Sequence, residues 1–492
     1  MIDSILTAAE FVNELLWGPW TVALVALVAV YLTIRTRFFQ LRRLGLIIRT
    51  TFGSLLRGGR VETAGPDGIE ASRKIVSDSG RGRMTPFQAT STALASTVGM
   101  GSIAGVATAL SIGGPGAIFW MWLLALLGTI TKTAEITLAV HYRDIDPTGR
   151  IRGGPMYYIS RGLGWPALGG LFSLGIFINS LCSASLLQAH TVGRAFLKSY
   201  SLSPYLVTGA MTLITIVVAV GGVRRIGRVS ERLVPLMAVV YVLAGLTLMI
   251  TNLGQVPEVF GLIVRSAFAP APAVGGFAGA AVALALREGI AKGMFGNEAG
   301  LGTAPIAHAT AETDHPFRQG MWGAFEVFIV TFVICTITSF AVLSTGTLGS
   351  GESGIELVIT AFTSLFGAVA AENIISFCIL TFCLTTMIGF FIYFETAGVN
   401  LFGLRAMRWL RWLYFIPPVV FAGVTDVDRL WAFANIAVGV CAIPNLIAVL
   451  ALSGVFLTLM RDFIEKKMTY RTAATDGTTA WVVNKLRGQQ PK

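Results

Sequence analysis

The stretch GMFGNEAGLGTAP, residues 293–305, sets a carboxylate, Glu298, and an amide, Asn297, among four glycines and a proline inside strongly apolar sequence. Earlier in the chain, STALASTVGMGSIAGVATALSIGGPG carries Gly99, Gly101 and Gly105 through another apolar run of small residues. Residues of these types at these places suit binding rather than bond-making. A helix broken within a membrane exposes free N–H groups on one half and free carbonyls on the other. The N–H end favours a carboxylate and the carbonyl end a cation. Two interrupted segments at matching positions of two halves point to a transporter's binding site. The alternative is close helix packing through small residues, which stays open for Gly105, Gly300 and Gly302. No nucleophile elbow, Walker loop, H-E-x-x-H or dinucleotide fingerprint occurs. The energy source for transport would therefore be an ion gradient.

Other polar residues fall within apolar runs, where charge is costly and suggests function. Lys132 and Glu135 are spaced i, i+3, which allows a mutual ion pair; Glu288 and Lys292, spaced i, i+4, allow another. Glu298 can order the unwound backbone, bind a cation or carry a proton, and ordering through free amides is the expected role. Gln188 and His190 lie near the outer end of a span, and a histidine there either titrates near neutral pH or packs as a satisfied ring. Thr385 and Thr386 either face a ligand or bond back to their own helix. His308 falls in an expected cytoplasmic loop, away from function.

The elements that must position these groups are membrane helices. The 492 residues are 54% hydrophobic and 13% charged, with mean hydropathy +0.72, whereas soluble domains carry roughly 25% charged residues. Apolar windows long enough to cross a ~30 Å hydrocarbon core recur. Runs such as TVALVALVAVYL do not alternate as barrel strands would. The expected fold is an all-α polytopic membrane protein with eleven spans near 17–35, 86–112, 117–140, 166–192, 203–221, 231–251, 274–300, 320–344, 373–397, 411–425 and 430–460. The breaks then open the first span of each of two five-span units, 86–251 and 274–460. Because five is odd, these units run in opposite senses. Residues 1–85 supply an N-terminal helix, an interfacial amphipathic stretch (RTRFFQLRRLGLIIRTTF) and a Gly-rich loop; residues 461–492 read as a tail.

With the N-terminus outside, 30 of the 37 lysines and arginines fall on the cytoplasmic side, so the positive-inside rule selects N-out and C-in. This distribution also accounts for the net charge of +11 and argues against nucleic acid as a partner. The five cysteines, Cys182, Cys335, Cys378, Cys383 and Cys441, lie in apolar runs without a C-x-x-C pair, and neither a disulfide framework nor a zinc site is expected. The opening MIDSILTAAEFVNELL has three acids and no basic n-region, so a cleavable signal peptide is not expected. Nothing in the sequence speaks to oligomeric state.

FQATSTALASTVGMGSIAGVATALSIGGPGAIFWMWLLALLGTITKTAEITLAVHYRD, GGPMYYISRGLG, GGVRRIGRVSERLVPLMAVVY, GMFGNEAGLGTAPIAHATA and AIPNLIAVLALS, in chain order over about residues 85–460, resemble the alanine or glycine:cation symporter family. The resemblance implies a leucine-transporter-type core of five plus five inverted repeats with one extra N-terminal helix. It implies uptake across the cell membrane of a small neutral amino acid, usually alanine or glycine, driven by Na⁺ or sometimes H⁺. It places the substrate between the breaks, against Thr97, Val98, Gly99, Gly101 and Ser102 on one side and Phe295, Gly296 and Asn297 on the other. Gln188, Thr386 and Phe390 would face it from neighbouring spans. By fold analogy a Na⁺ would lie between first-break carbonyls at Thr97 and the hydroxyls of Thr385 or Thr386.

The sequence departs from this family's pattern. Ser102 and His190 stand where asparagine is usual, Gly296 for serine, Val330 for aspartate and Phe390 often for tryptophan. The changes at 102, 296 and 390 remove volume, so a larger neutral amino acid such as glutamine becomes plausible. The loss of a carboxylate at 330 and amides at 102 and 190 alters the polar network. A channel would need a continuous polar lining, a sensor an output domain and an enzyme a convergent acid–base set; each is less well matched than a transporter.

Overall fold

The computed structural model describes residue 12 and residues 16–53, 84–268, 278–423 and 427–465. The Gly-rich stretch 54–83 and the tail from 466 lie outside the described residues. Helices dominate, and their starts follow from local chemistry. Thr85 and Gln88 form a reciprocal capping box with Pro86 at the first turn, satisfying N–H groups that a helix start leaves free. The segment then runs as Pro86–Thr97, breaks at Val98 and Gly99, and resumes as Met100–Gly113.

Gly116–His141 follows, then an antiparallel hairpin pairing Asp144–Ile145 with Ile151–Arg152, the one strand pair among the described residues. Asp146 organises its turn, accepting from Arg152 Nε at 2.8 Å and Thr148 N at 2.8 Å. Burial alone would raise the Asp146 pKa, but these bonds outweigh it and hold the carboxyl below its usual range.

The helix Pro166–Tyr200 contains a π-helical segment, Ser180–Leu187, and Pro316–Ser344 contains another, Phe328–Cys335. Pro204–Ala219 and Val223–Thr251 follow the first of these. Among the described residues seven helices are long and apolar enough to cross a bilayer. Leu236, Val239, Leu243, Leu246 and Ile250 form an exposed stripe at helical spacing along Val223–Thr251. Its apolar surface turns outward while Lys132, Glu135, Glu326 and His308 are buried. This arrangement suits a lipid surround and not water.

Two helices were not anticipated. Val256–Phe268 and Gly354–Phe366 have 13 residues each, too few to cross a bilayer. Val256–Phe268 packs by Phe260 on Trp122 (ring centroids 5.4 Å) and Phe268 on Phe119 (5.1 Å). The tenth expected span begins earlier than 411. The helical run Ala368–Val420 is interrupted at Gly403, with φ 78° and ψ 167°. In a straight helix Phe391 and Phe415 would stand about 36 Å apart, yet their rings stack at 5.5 Å and Tyr414 Oη donates to Met387 O at 2.8 Å. The chain therefore folds back at Gly403, giving two helices, 368–402 and 404–420. Only glycine relaxes at that φ and ψ, so Gly403→Ala is expected to cost about 1–3 kcal/mol. Thermal unfolding of the detergent-purified protein tests this, and an unchanged midpoint refutes it.

The loop expected at 302–319 is folded into the body. Ala304–His308 is a short buried helix, Met84 bridges Ala311, and His315 pairs with Asp462 at 3.4 Å. The last helix continues through Ser453–Ile464 with Asp462 buried, so the tail begins later than 461.

Candidate functional site

The two breaks meet. A Cβ on Gly101 would stand 2.7 Å from the Phe295 ring, and one on Gly296 3.7 Å from Gly101 O. Thr97 Oγ1 donates to Glu298 Oε2 at 3.3 Å across 201 residues of sequence. A small cavity lies at this junction, lined by Ser96, Thr97, Gly99, Gly101, Gln188, Phe295, Glu298 and Phe390, with Asn179, Ser183, Ala184, Leu301 and Val438 completing the wall.

The first break owes its shape to space rather than to an unusual φ. Gly99 has φ −136°, which any residue adopts, but a Cβ there would lie 2.6 Å from Thr386 Oγ1 and 3.1 Å from Gln188 Oε1. Gln188 accepts from Met100 N at 3.3 Å, filling one free amide of the second half-helix. Thr386 Oγ1 is shared between Phe382 O and Ala95 O, both at 2.9 Å; the second is a free carbonyl at the end of the first half-helix. Ser102 Oγ donates to Gly99 O at 3.1 Å.

The second break is a chain of turns after Ala278–Asn297, with Glu298 (φ 56°), Gly300 (φ 96°) and Gly302 (φ 76°) in left-handed backbone. Its carbonyls are met by side chains from other helices. Lys132 Nζ donates to Asn297 O at 2.8 Å, placing a cation at a helix C-terminus. Asn445 Nδ2 donates to Gly300 O at 2.8 Å and to the Glu135 carboxylate, and Tyr158 Oη donates to Asn445 Oδ1.

Several expectations are corrected here. Lys132 does not pair with Glu135; it pairs with Glu326 at 3.0 Å, because the second break and the Pro316–Ser344 helix converge on it. Glu326 also meets His308 Nε2 at 2.6 Å, with Gln319 against His308 Nδ1 at 2.8 Å, so His308 is a buried member of this network and not a loop residue. Glu298 is held by hydroxyls, Thr303 at 2.7 Å and Thr97, not by backbone amides.

Of the residues expected to face a ligand, Thr97, Gly99, Gly101, Gln188, Phe295 and Phe390 line the cavity. Val98, Ser102, Gly296, Asn297 and Thr386 stand behind it. Asn297 Nδ2 donates to Thr331 and its Oδ1 accepts from Ala299 N. Thr385 turns away to Met237 Sδ at 3.5 Å, so of the two threonines only Thr386 reaches the first break. His190 and Val330 are buried outside the cavity wall. Sequence reasoning missed Asn179 and Ser183, joined by a 2.6 Å hydrogen bond beside the π segment. Their signal was present, since polar INSLCSAS interrupts an apolar span and π-bulges mark functional sites. Leu301 and Val438 gave none.

Apolar helices around a cavity, with two of them broken at its wall, are the arrangement of a multi-pass membrane transporter. The chain belongs to the sodium:alanine symporter family, whose model matches residues 2–476. The sodium/alanine symporter AgcS of Methanococcus maripaludis is 35% identical over 462 residues, 92% of this chain and 96% of that one. A probable sodium/glutamine symporter of Bacillus subtilis, GlnT, is 36% identical over 465 residues, 92% and 90%. The fold is also that of a manganese transporter from Eremococcus coleocola, with TM-score 0.50 at 11% identity over 82% of this chain and 90% of that one.

Proposed function

We propose that this protein is a secondary active symporter that imports a small neutral amino acid of the alanine or glycine class, driven by a Na⁺ gradient. The observation that carries this reading is the junction of two broken helices around one cavity, with Gly99, Gly101, Phe295 and Glu298 on its wall. A free amino acid brings a carboxylate for half-helix amides and an ammonium for carbonyls and hydroxyls. Family membership and the named activities of AgcS and GlnT support the substrate class and the ion.

The fold is proposed as a leucine-transporter-type pair of inverted repeats, 86–251 and 274–460, following one N-terminal helix, with the N-terminus outside. Matching elements support it. Each half opens on a broken helix, carries a long third helix (Pro166–Tyr200 and 368–402) and a short fourth one (Pro204–Ala219 and 404–420).

A larger substrate such as glutamine is the second reading. Of the three volume-reducing positions, only Phe390 lines the cavity, so Phe390 alone carries the size argument. Phe390→Trp is expected to shift relative uptake toward alanine over glutamine by about tenfold. The test is uptake of labelled alanine, glycine, glutamine and leucine into proteoliposomes under an imposed Na⁺ or pH gradient. Saturable uptake abolished by collapsing the Na⁺ gradient supports the proposal. Uptake driven by the pH gradient alone replaces Na⁺ with H⁺, and gradient-independent flux refutes symport.

A further inference from the structure

Among the three carboxylates buried beside the breaks, Glu298 is the one that lines the cavity. Glu326 has Lys132 and His308, and Glu135 has the Asn445 amide. Glu298 is buried, lines the cavity and has no ion-pair partner among the described residues. Its Oε2 accepts from Thr303 Oγ1 at 2.7 Å and lies 3.3 Å from Thr97 Oγ1, whose proton is shared with Ala93 O at 2.6 Å. The group as a whole has three carboxylates, Glu135, Glu298 and Glu326, against one lysine, Lys132, and one histidine, His308. A buried carboxylate without compensation is not sustained in a low-dielectric interior.

A second observation lies next to the cavity wall. Tyr393 is fully buried and its hydroxyl has no well-formed hydrogen bond among the described residues. Ser96, a cavity-lining hydroxyl, is its neighbour, and Phe390, one turn away, lines the cavity with its ring 4.8 Å from that of Tyr393. Oxygens from three segments, Ser96 and Thr97, Glu298 and Thr303, and Tyr393, thus gather beside the breaks, and the Glu298 carboxylate among them makes no direct ion pair among the described residues. The donor set is all oxygen, which suits a hard cation.

We propose that Glu298 is the binding site of the driving Na⁺, held with Thr97 and Thr303 at the junction of the two breaks. This rests on the reading of the protein as a Na⁺-driven symporter, and it places the ion away from Thr385. Thr97 belongs to the first broken segment, and Glu298 and Thr303 to the second. A cation there draws together the two walls of the amino acid cavity, so occupancy of one site raises affinity at the other.

The test uses the purified full chain in detergent. Thermal unfolding is followed against NaCl, with choline chloride keeping ionic strength constant, and binding of labelled alanine and glutamine is measured over the same series. Wild type is expected to gain thermal stability from Na⁺ without amino acid. Glu298→Gln is expected to raise half-saturating Na⁺ at least about tenfold in both readouts, while Glu298→Asp keeps a Na⁺ response. Thr303→Val, nearly the same shape without the hydroxyl, is expected to weaken Na⁺ severalfold and decides the matter if Glu298→Gln fails to fold. A wild-type Na⁺ response that either Glu298→Gln or Thr303→Val leaves unchanged overturns this inference alone. No Na⁺ response in wild type overturns both the inference and the symport reading beneath it.

Discussion

Lys132→Met is expected to remove most of the protein's folding stability. Lys132 is fully buried, yet its ammonium serves two partners, the Glu326 carboxylate at 3.0 Å and the Asn297 carbonyl at 2.8 Å. Methionine fills similar volume but leaves Glu326 with His308 alone of its two ionic partners and the end of Ala278–Asn297 without its donor. Stripping one partner from a buried pair costs about 3–5 kcal/mol, and an orphaned buried carbonyl adds about 1–3 kcal/mol. Against a total stability of about 5–15 kcal/mol, the sum is decisive. The expected result is a collapse in monodisperse yield and thermal midpoint. Because Lys132→Met takes one of two cationic partners from a buried carboxylate, Lys132→Met/Glu326→Gln is expected to recover part of the loss. A Lys132→Met protein as stable as wild type, or a double variant worse than the single, contradicts this account.

Gly99→Val is the second large effect, and it falls on transport instead of folding. The position has a negative φ, so the restriction is chiefly one of room. The first methyl-bearing carbon would press on Thr386 Oγ1 and Gln188 Oε1, the groups that cap Ala95 O and Met100 N. Valine adds two further carbons toward the cavity. Overpacking of this kind costs about 1–3 kcal/mol, which read as affinity is about five- to 150-fold. Uptake kinetics in proteoliposomes should show that loss at near-normal protein yield. Wild-type affinity in Gly99→Val removes the first break from the site.

Much of this architecture is written locally in the chain. The two breaks are legible because glycines interrupt apolar sequence, and spans are legible because a bilayer fixes their length. Partnerships between spans are not. Spacing i, i+3 offered Glu135 to Lys132, but Glu326 lies 194 positions beyond it on another helix, and only packing brings the two together. The same limit hid His308, whose Gly- and Ala-rich surroundings read as a loop. The 404–420 helix was expected to start late because Arg405, Arg408 and Arg411 depress the hydropathy of its first turns. Val256–Phe268 and Gly354–Phe366 are too short for a spanning window to register.

The fold-back at Gly403 bears on how the protein is made. Helices 368–402 and 404–420 share a one-residue bend, and Phe391 on one already rests on Tyr414 and Phe415 of the other. There is no loop to hold the second helix back while the first enters the bilayer. The pair is therefore expected to enter the bilayer together, as one hairpin, instead of as two successive spans.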